Sequence, residues 1–129
     1  MTYVSTALKN YFECYEIRKE RNDSVGMYKI LGNIANAYNY LLIDYETSLK
    51  YYEQSLQIQK NLGDEKVLSI TYLNISSVYM TQGKFLPAFD YMQQAEKIAD
   101  KYNDMPTLGK IYLNMGDMLN SIGQNSKGK

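Results

Sequence analysis

The sequence predicts an all-α fold: six helices in antiparallel hairpins, stacked as a right-handed α-solenoid. Three observations carry that expectation. Apolar and small residues recur at three- and four-residue spacing almost throughout, and only two prolines interrupt the 129 residues. The line ITYLNISSVYMTQGK at Ile70–Lys84 is written again as IYLNMGDMLNSIGQ at Ile111–Gln124, and in part earlier as LGNIANAY at Leu31–Tyr38. Asn33 thus falls on Asn74, Ile34 on Ile75 and Tyr38 on Tyr79, while Tyr72-Leu73-Asn74 returns as Tyr112-Leu113-Asn114. Finally, Asp23, Asp64 and Asp104 close three short turns, RND, LGD and YND, at intervals of 41 and 40 residues. A period of about 40 residues is the signature of stacked helical hairpins.

The elements follow in order. A helix over 5–21 carries Ala7 and Cys14, with Tyr11 between them. After Asp23, which can accept from free backbone N–H groups, a helix over 25–41 carries the repeated line. The next, 45–61, places Ser48 and Ser55 where two helices must approach closely, with Tyr52 between. The cycle repeats with 66–82 and then 85–102, where Ala88, Met92 and Ala95 take those places. The last helix, 106–122, is of the first type again, and 124–129 reads as a solvated tail after Gly123, the equivalent of Gly83. Tyr38 to Ser48 spans one residue more than Tyr79 to Ala88, so the first internal turn is longer by one.

This pattern resembles the tetratricopeptide repeat. Ile75 to Ala95 carries the resemblance best: Ile75 and Ser76 at the large–small pair, Tyr79 at the aromatic, Gly83 and Phe85 at the turn, then Ala88, Met92 and Ala95. It extends over residues 1–129 as one domain, two full repeats flanked by two half repeats, expected to be part of a longer protein. The usual early tryptophan is replaced by Leu31, Tyr72 and Tyr112, and the usual proline before the next repeat is missing. The period, the LGD turn and the Leu-Asn pair look more like the variant of roughly 40 residues. That variant occurs in kinesin-light-chain-like and Pins-like adaptors and in sensory portions of bacterial kinases and nucleotide cyclases. The resemblance implies a protein- or peptide-binding scaffold or sensory module of a larger signalling protein, its ligand held on the concave face.

Composition narrows the chemistry. Fourteen basic residues balance fourteen acidic ones, which leaves no footprint for nucleic acid. One cysteine and no histidine exclude an internal disulfide and a nucleophile–histidine pair, and argue against a Cys/His metal site. No apolar run is long enough for membrane insertion, and no signal-peptide pattern opens the chain. The carboxylates are scattered singly, with no pair placed for acid–base work. No enzyme and no cofactor are expected. Cys14, at a small packing position, reads as buried and inert, and most of the fourteen tyrosines read as helix-packing residues, with Tyr40, Tyr45 and Tyr51 less constrained.

The repeated asparagine is the candidate site. Asn33, Asn74 and Asn114 sit just before the large–small pair on the first helix, and one turn on, Asn36, Ser77 and Asp117 share their face. A side-chain amide offers donors and an acceptor, so a set of them can pair with the backbone of an extended peptide. The alternative is that these amides bond to a neighbouring helix and only hold the stack. Family members that grip acidic C-terminal tails use lysine or arginine beside the asparagine. Here Gly32, Leu73 and Leu113 stand there, and only Lys29 and Lys110, a turn earlier, supply charge, so that mode is not expected.

Ile111, Met115, Met118, Leu119 and Ile122 form an apolar stripe on the last helix, whose partner helix does not follow. The stripe is expected to be covered by further repeats or by a second copy, a homodimer joined through this helix by a two-fold contact. The competing role is therefore structural: a self-associating spacer that dimerises an attached kinase or cyclase domain and holds no ligand in its groove.

Overall fold

The computed structural model describes residues 2–127, with side chains as far as Gln124. All regular structure among them is helical: α1 (Tyr3–Glu20), α2 (Ser24–Tyr40), α3 (Tyr45–Leu62), α4 (Glu65–Thr81), α5 (Phe85–Lys101) and α6 (Met105–Lys127). The chain forms two compact units, Met1–Glu65 and Lys66–Lys129.

The turns between repeats share one construction. The residue before each aspartate is left-handed: Asn22 at φ 55°, Gly63 at φ 71° and Asn103 at φ 52°. In each, the aspartate N–H donates to a carbonyl five residues back: Asp23 to Arg18 (2.9 Å), Asp64 to Gln59 (3.2 Å) and Asp104 to Ala99 (2.8 Å). This is the Schellman closure of a helix, and it takes glycine or asparagine at the left-handed position because other side chains crowd the backbone there. The aspartate then opens the next helix. Asp23 accepts from the Gly26 N–H at 2.9 Å, and Asp104 from the Thr107 N–H at 3.4 Å and hydroxyl at 2.7 Å. The Thr107 hydroxyl bond holds the Asp104 carboxyl below its ordinary range. Asp44, not singled out in the sequence, caps α3 in the same way through Thr47. Asp64 stands directly before α4.

Inside the repeats the turns differ by the expected residue. After α4, Gly83 is left-handed at φ 75° and the Lys84 N–H reaches the Tyr79 carbonyl at 2.9 Å. After α2, Ile43 holds the equivalent conformation at φ 54°, and the Asp44 N–H reaches one residue further back, to Tyr38, at 2.8 Å. A β-branched side chain in this region is strained.

In the first unit, α2 and α3 pack antiparallel at close range. The Ser48 hydroxyl donates to the Ala35 carbonyl at 2.7 Å and the Ser55 hydroxyl to the Tyr28 carbonyl at 2.9 Å. Around these contacts Leu31, Ile34, Ala35, Tyr52 and Leu56 are buried. α1 joins through the Arg18–Asp23 ion pair at 3.1 Å and through Phe12, whose ring centroid lies 5.8 Å from that of Tyr51. Cys14 is half-buried rather than buried, because α1 packs on one side only and has no fully buried residue. Tyr51 is also more constrained than expected: it stacks on Tyr38 at 5.6 Å with Phe12 beside it.

The second unit repeats this design with apolar partners. Ala88, Met92, Ala95 and Ala99 of α5 are buried, and Tyr91 stacks on Tyr79 at 5.8 Å with Tyr72 tilted against it at 5.9 Å. α6 buries Leu108, Ile111 and Met118. It does not stop at 122: Gly123 stays helical and α6 runs to Lys127, so most of the expected tail is helix, while residues 128 and 129 lie outside the described residues. Glycine at a helix end permits a turn but does not compel one, and residues 124–127 hold no apolar side chain that a reversal would bury.

Ile43 provides a test of the strained turn. It is 59% exposed, so little packing is lost on substitution. Ile43→Asn should stabilise the chain by about 1 kcal/mol, the scale of the left-handed penalty. Gly83→Ala should destabilise it by a similar amount, since no atom lies within 4 Å of the added methyl and only backbone strain changes. Thermal unfolding of both variants checks the opposite signs.

Candidate functional site

Each first-type helix places its asparagine and the residue one turn on upon a single face. On α2, Asn33 is exposed and Asn36 half-buried; on α4, Asn74 and Ser77 are half-buried; on α6, Asn114 is half-buried and Asp117 exposed. Among the described residues, the amides of Asn33, Asn74 and Asn114 bond to no protein group.

The companion residues are less free. The Tyr52 hydroxyl donates to Asn36 Oδ1 across the α2–α3 contact, which ties the acceptor of that amide into the hairpin and leaves its N–H groups. Ser77 donates to the Leu73 carbonyl in its own helix at 3.2 Å. Asn36 is therefore in part a packing residue, a role hidden in the sequence because Met92 holds the place of Tyr52 in the next repeat.

Asn33 and Asn36 border a cavity of 290 Å³ between α1 and α2, walled also by Ala7, Tyr11, Ala37, Tyr40 and Leu41. Two amides against a mainly apolar wall can bond a peptide backbone while an apolar side chain fills the recess. The α1 side of this cavity was not expected to line a site. Ala7 and Tyr11 align with the buried Ser48 and Tyr52, and that alignment signals packing rather than access.

The apolar stripe on α6 divides. Ile111 and Met118 are buried and Met115 is half-buried, whereas Leu119 (63% exposed) and Ile122 face outward. The expectation that all five would serve self-association is corrected for Ile111 and Met118, because α5 already covers one side of α6. The residues α6 leaves open include Tyr112 and Leu113, which the sequence placed with the core or with the site's neighbours. On the α5 side, Phe85, Leu86 and Phe89 join Met118, Leu119 and Ile122 around an apolar recess of 220 Å³.

Burial pushes the Tyr52 phenol well above its ordinary value of 10.0, and raises Tyr28 and Tyr51 as well. A proton held more tightly in the folded state stabilises fully below the unfolded pKa, and that stability is lost as pH rises past it. The unfolding free energy should therefore fall as pH climbs above about 10. Tyr52→Phe should flatten this fall and cost about 1 kcal/mol at neutral pH by removing the donor to Asn36. Urea unfolding of both proteins at neutral and alkaline pH measures each effect.

Comparison with known families gives one match: the family described as tetratricopeptide repeat covers residues 26–101. No curated protein matches the chain.

Proposed function

The chain belongs to the tetratricopeptide repeat family, a non-catalytic repeat that mediates protein–protein interaction, and on that premise we propose that its first-type helices bind extended peptide backbone, through Asn33 in the first compact unit and through Asn74 and Asn114 in the second. The observation that supports this reading is that three repeat-equivalent amides, one exposed and two half-buried, have no hydrogen bond to another group among the described residues. An accessible amide keeps two N–H donors and a carbonyl for a ligand, matching what a peptide backbone presents at each residue. Readout of backbone gives affinity with little demand on sequence, and the recess beside Asn33 adds a preference for an apolar or aromatic side chain.

Asp117 adds a negative charge beside Asn114, and no lysine or arginine shares the asparagine positions. A peptide that is neutral or basic near this point suits the face better than an acidic one. The setting in which such a module acts is a scaffold or sensory segment of a larger signalling protein.

Selection from a displayed library of random peptides supplies a probe, whose affinity is then followed by fluorescence anisotropy. Asn33→Ala, Asn74→Ala and Asn114→Ala should each weaken binding several-fold, the scale of one net hydrogen bond of about 0.5–1.5 kcal/mol, with no loss of melting temperature. Asn36→Ala should lower the melting temperature as well, because it removes the acceptor of Tyr52. Peptides that bind the triple alanine variant as tightly as the native chain would overturn the assignment.

A further inference from the structure

We propose that the turn between α2 and α3 is a second docking surface, distinct from the asparagine positions, and that it takes a basic amphipathic segment of another protein. Four consecutive large apolar residues lie here, Tyr40, Leu41, Leu42 and Ile43, each between 44% and 62% exposed. Single apolar side chains at a surface are ordinary, but an unbroken exposed run signals a contact. Tyr40 and Leu41 also border the cavity beside Asn33, so the surface proper is Leu42 and Ile43 at the tip.

The turn between α4 and α5 offers the comparison. With Tyr38 set on Tyr79, Tyr40 and Leu41 fall on Thr81 and Gln82, Ile43 on Gly83 and Asp44 on Lys84, and Leu42 is the additional residue. The same place in the repeat is thus polar in one turn and apolar in the other. Thr81, Gly83 and Lys84 are exposed although a complete hairpin precedes α4 in the chain, so exposure at this place does not depend on what precedes the helix pair. The first turn also carries features that cost stability. Ile43 stands left-handed at φ 54°, where Gly83 takes φ 75° without a Cβ. Asn39, directly before the run, is buried with neither polar atom of its amide bonded, where the second repeat has Met80. None of these departures recurs in the other turn. Their concentration between 39 and 43 fits a segment shaped for a contact as well as for folding.

Charge selects the partner. No residue between Lys29 and Asp44 is charged, and the charges that flank the tip before Lys50, Asp44 and Glu46, are both negative and exposed. A second copy brought tip to tip would set these carboxylates against their own kind, and a bilayer with anionic lipid would repel them. A segment with an apolar stripe for Leu42 and Ile43, and lysine or arginine beside it for Asp44 and Glu46, meets both demands. Lys84, at the equivalent place in the other turn, would repel the same segment.

Random peptides displayed in a library, selected on the 129-residue chain and counter-selected on Leu42→Ser, supply the probe. The survivors should combine apolar residues at helical spacing with several lysines or arginines. In fluorescence anisotropy, Leu42→Ser should weaken their binding by about tenfold, the scale of one buried aliphatic side chain. Glu46→Gln and added salt should each weaken it as well. Ile43→Asn should weaken binding while raising the melting temperature, which separates loss of contact from loss of fold. The triple variant Asn33→Ala/Asn74→Ala/Asn114→Ala should bind these peptides as the native chain does, because they do not use the asparagine positions. No enrichment after counter-selection, survivors without basic residues, or an Ile43→Asn chain that binds at native strength would each overturn the proposal. So would co-sedimentation of the native chain, but not of Leu42→Ser, with phosphatidylcholine vesicles, alone or with phosphatidylserine, since the partner would then be a bilayer.

Discussion

The structure rests on how closely each first-type helix approaches the second-type helix that follows it. Ser48 and Ser55 are short enough for the α2 and α3 backbones to come within reach of a hydroxyl, and both hydroxyls donate to main-chain carbonyls across the contact. A buried hydroxyl is costly unless bonded, so these two serines accept only the separation and register at which the carbonyls lie opposite them. In α5 the same places are alanine, fully buried, and a larger residue there would force the helices apart. Once the separation is set, the rings at the edge of each hairpin meet, Tyr38 on Tyr51 and Tyr79 on Tyr91. The two hairpins therefore bring an equivalent tyrosine pair together by different chemistry. The first is specified by hydrogen bonds, including that from Tyr52 to Asn36, and the second by apolar fit around Met92. Polar contacts of this kind tolerate fewer alternative registers than apolar ones.

Much of this is legible in the sequence because the determinants are local. Asp23 and Asp104 are recognisable as caps, since a carboxylate at that place needs only the N–H groups of the next turn. The longer internal turn could be counted residue by residue, and Ile43 shows what that extra residue entails in the backbone. What the period hides is anything that breaks it. Tyr51 looked unconstrained because its main contact is Tyr38 on another helix and Phe12 lies beside it, neither of them near in the chain. Gly123 looked like Gly83, yet a glycine turns only where the following residues gain by reversal.

The candidate site shows the same limit. The three asparagines are marked by their recurrence, and their lack of protein partners fits a binding role. Whether the residue one turn on is equally free depends on the helix opposite. Asn36 faces Tyr52 and is partly committed, whereas Asp117 is exposed. The stripe on α6 was read as a single face, but a helix packed on one neighbour has a covered side and an open side. Only contacts distant in sequence assign Ile111 to the first and Leu119 to the second.

The stacked tyrosines also make the molecule its own optical instrument. The chain holds no tryptophan, so its near-ultraviolet signal comes mainly from tyrosine. Each compact unit contains one stacked pair, Tyr38 with Tyr51 in the first and Tyr79 with Tyr91 in the second, nearly parallel at 16° and 12°. Phenylalanine at Tyr51 would silence the first pair and at Tyr91 the second, while an aromatic ring stays in place. The melting of each unit could then be followed separately in the same polypeptide, without an attached dye.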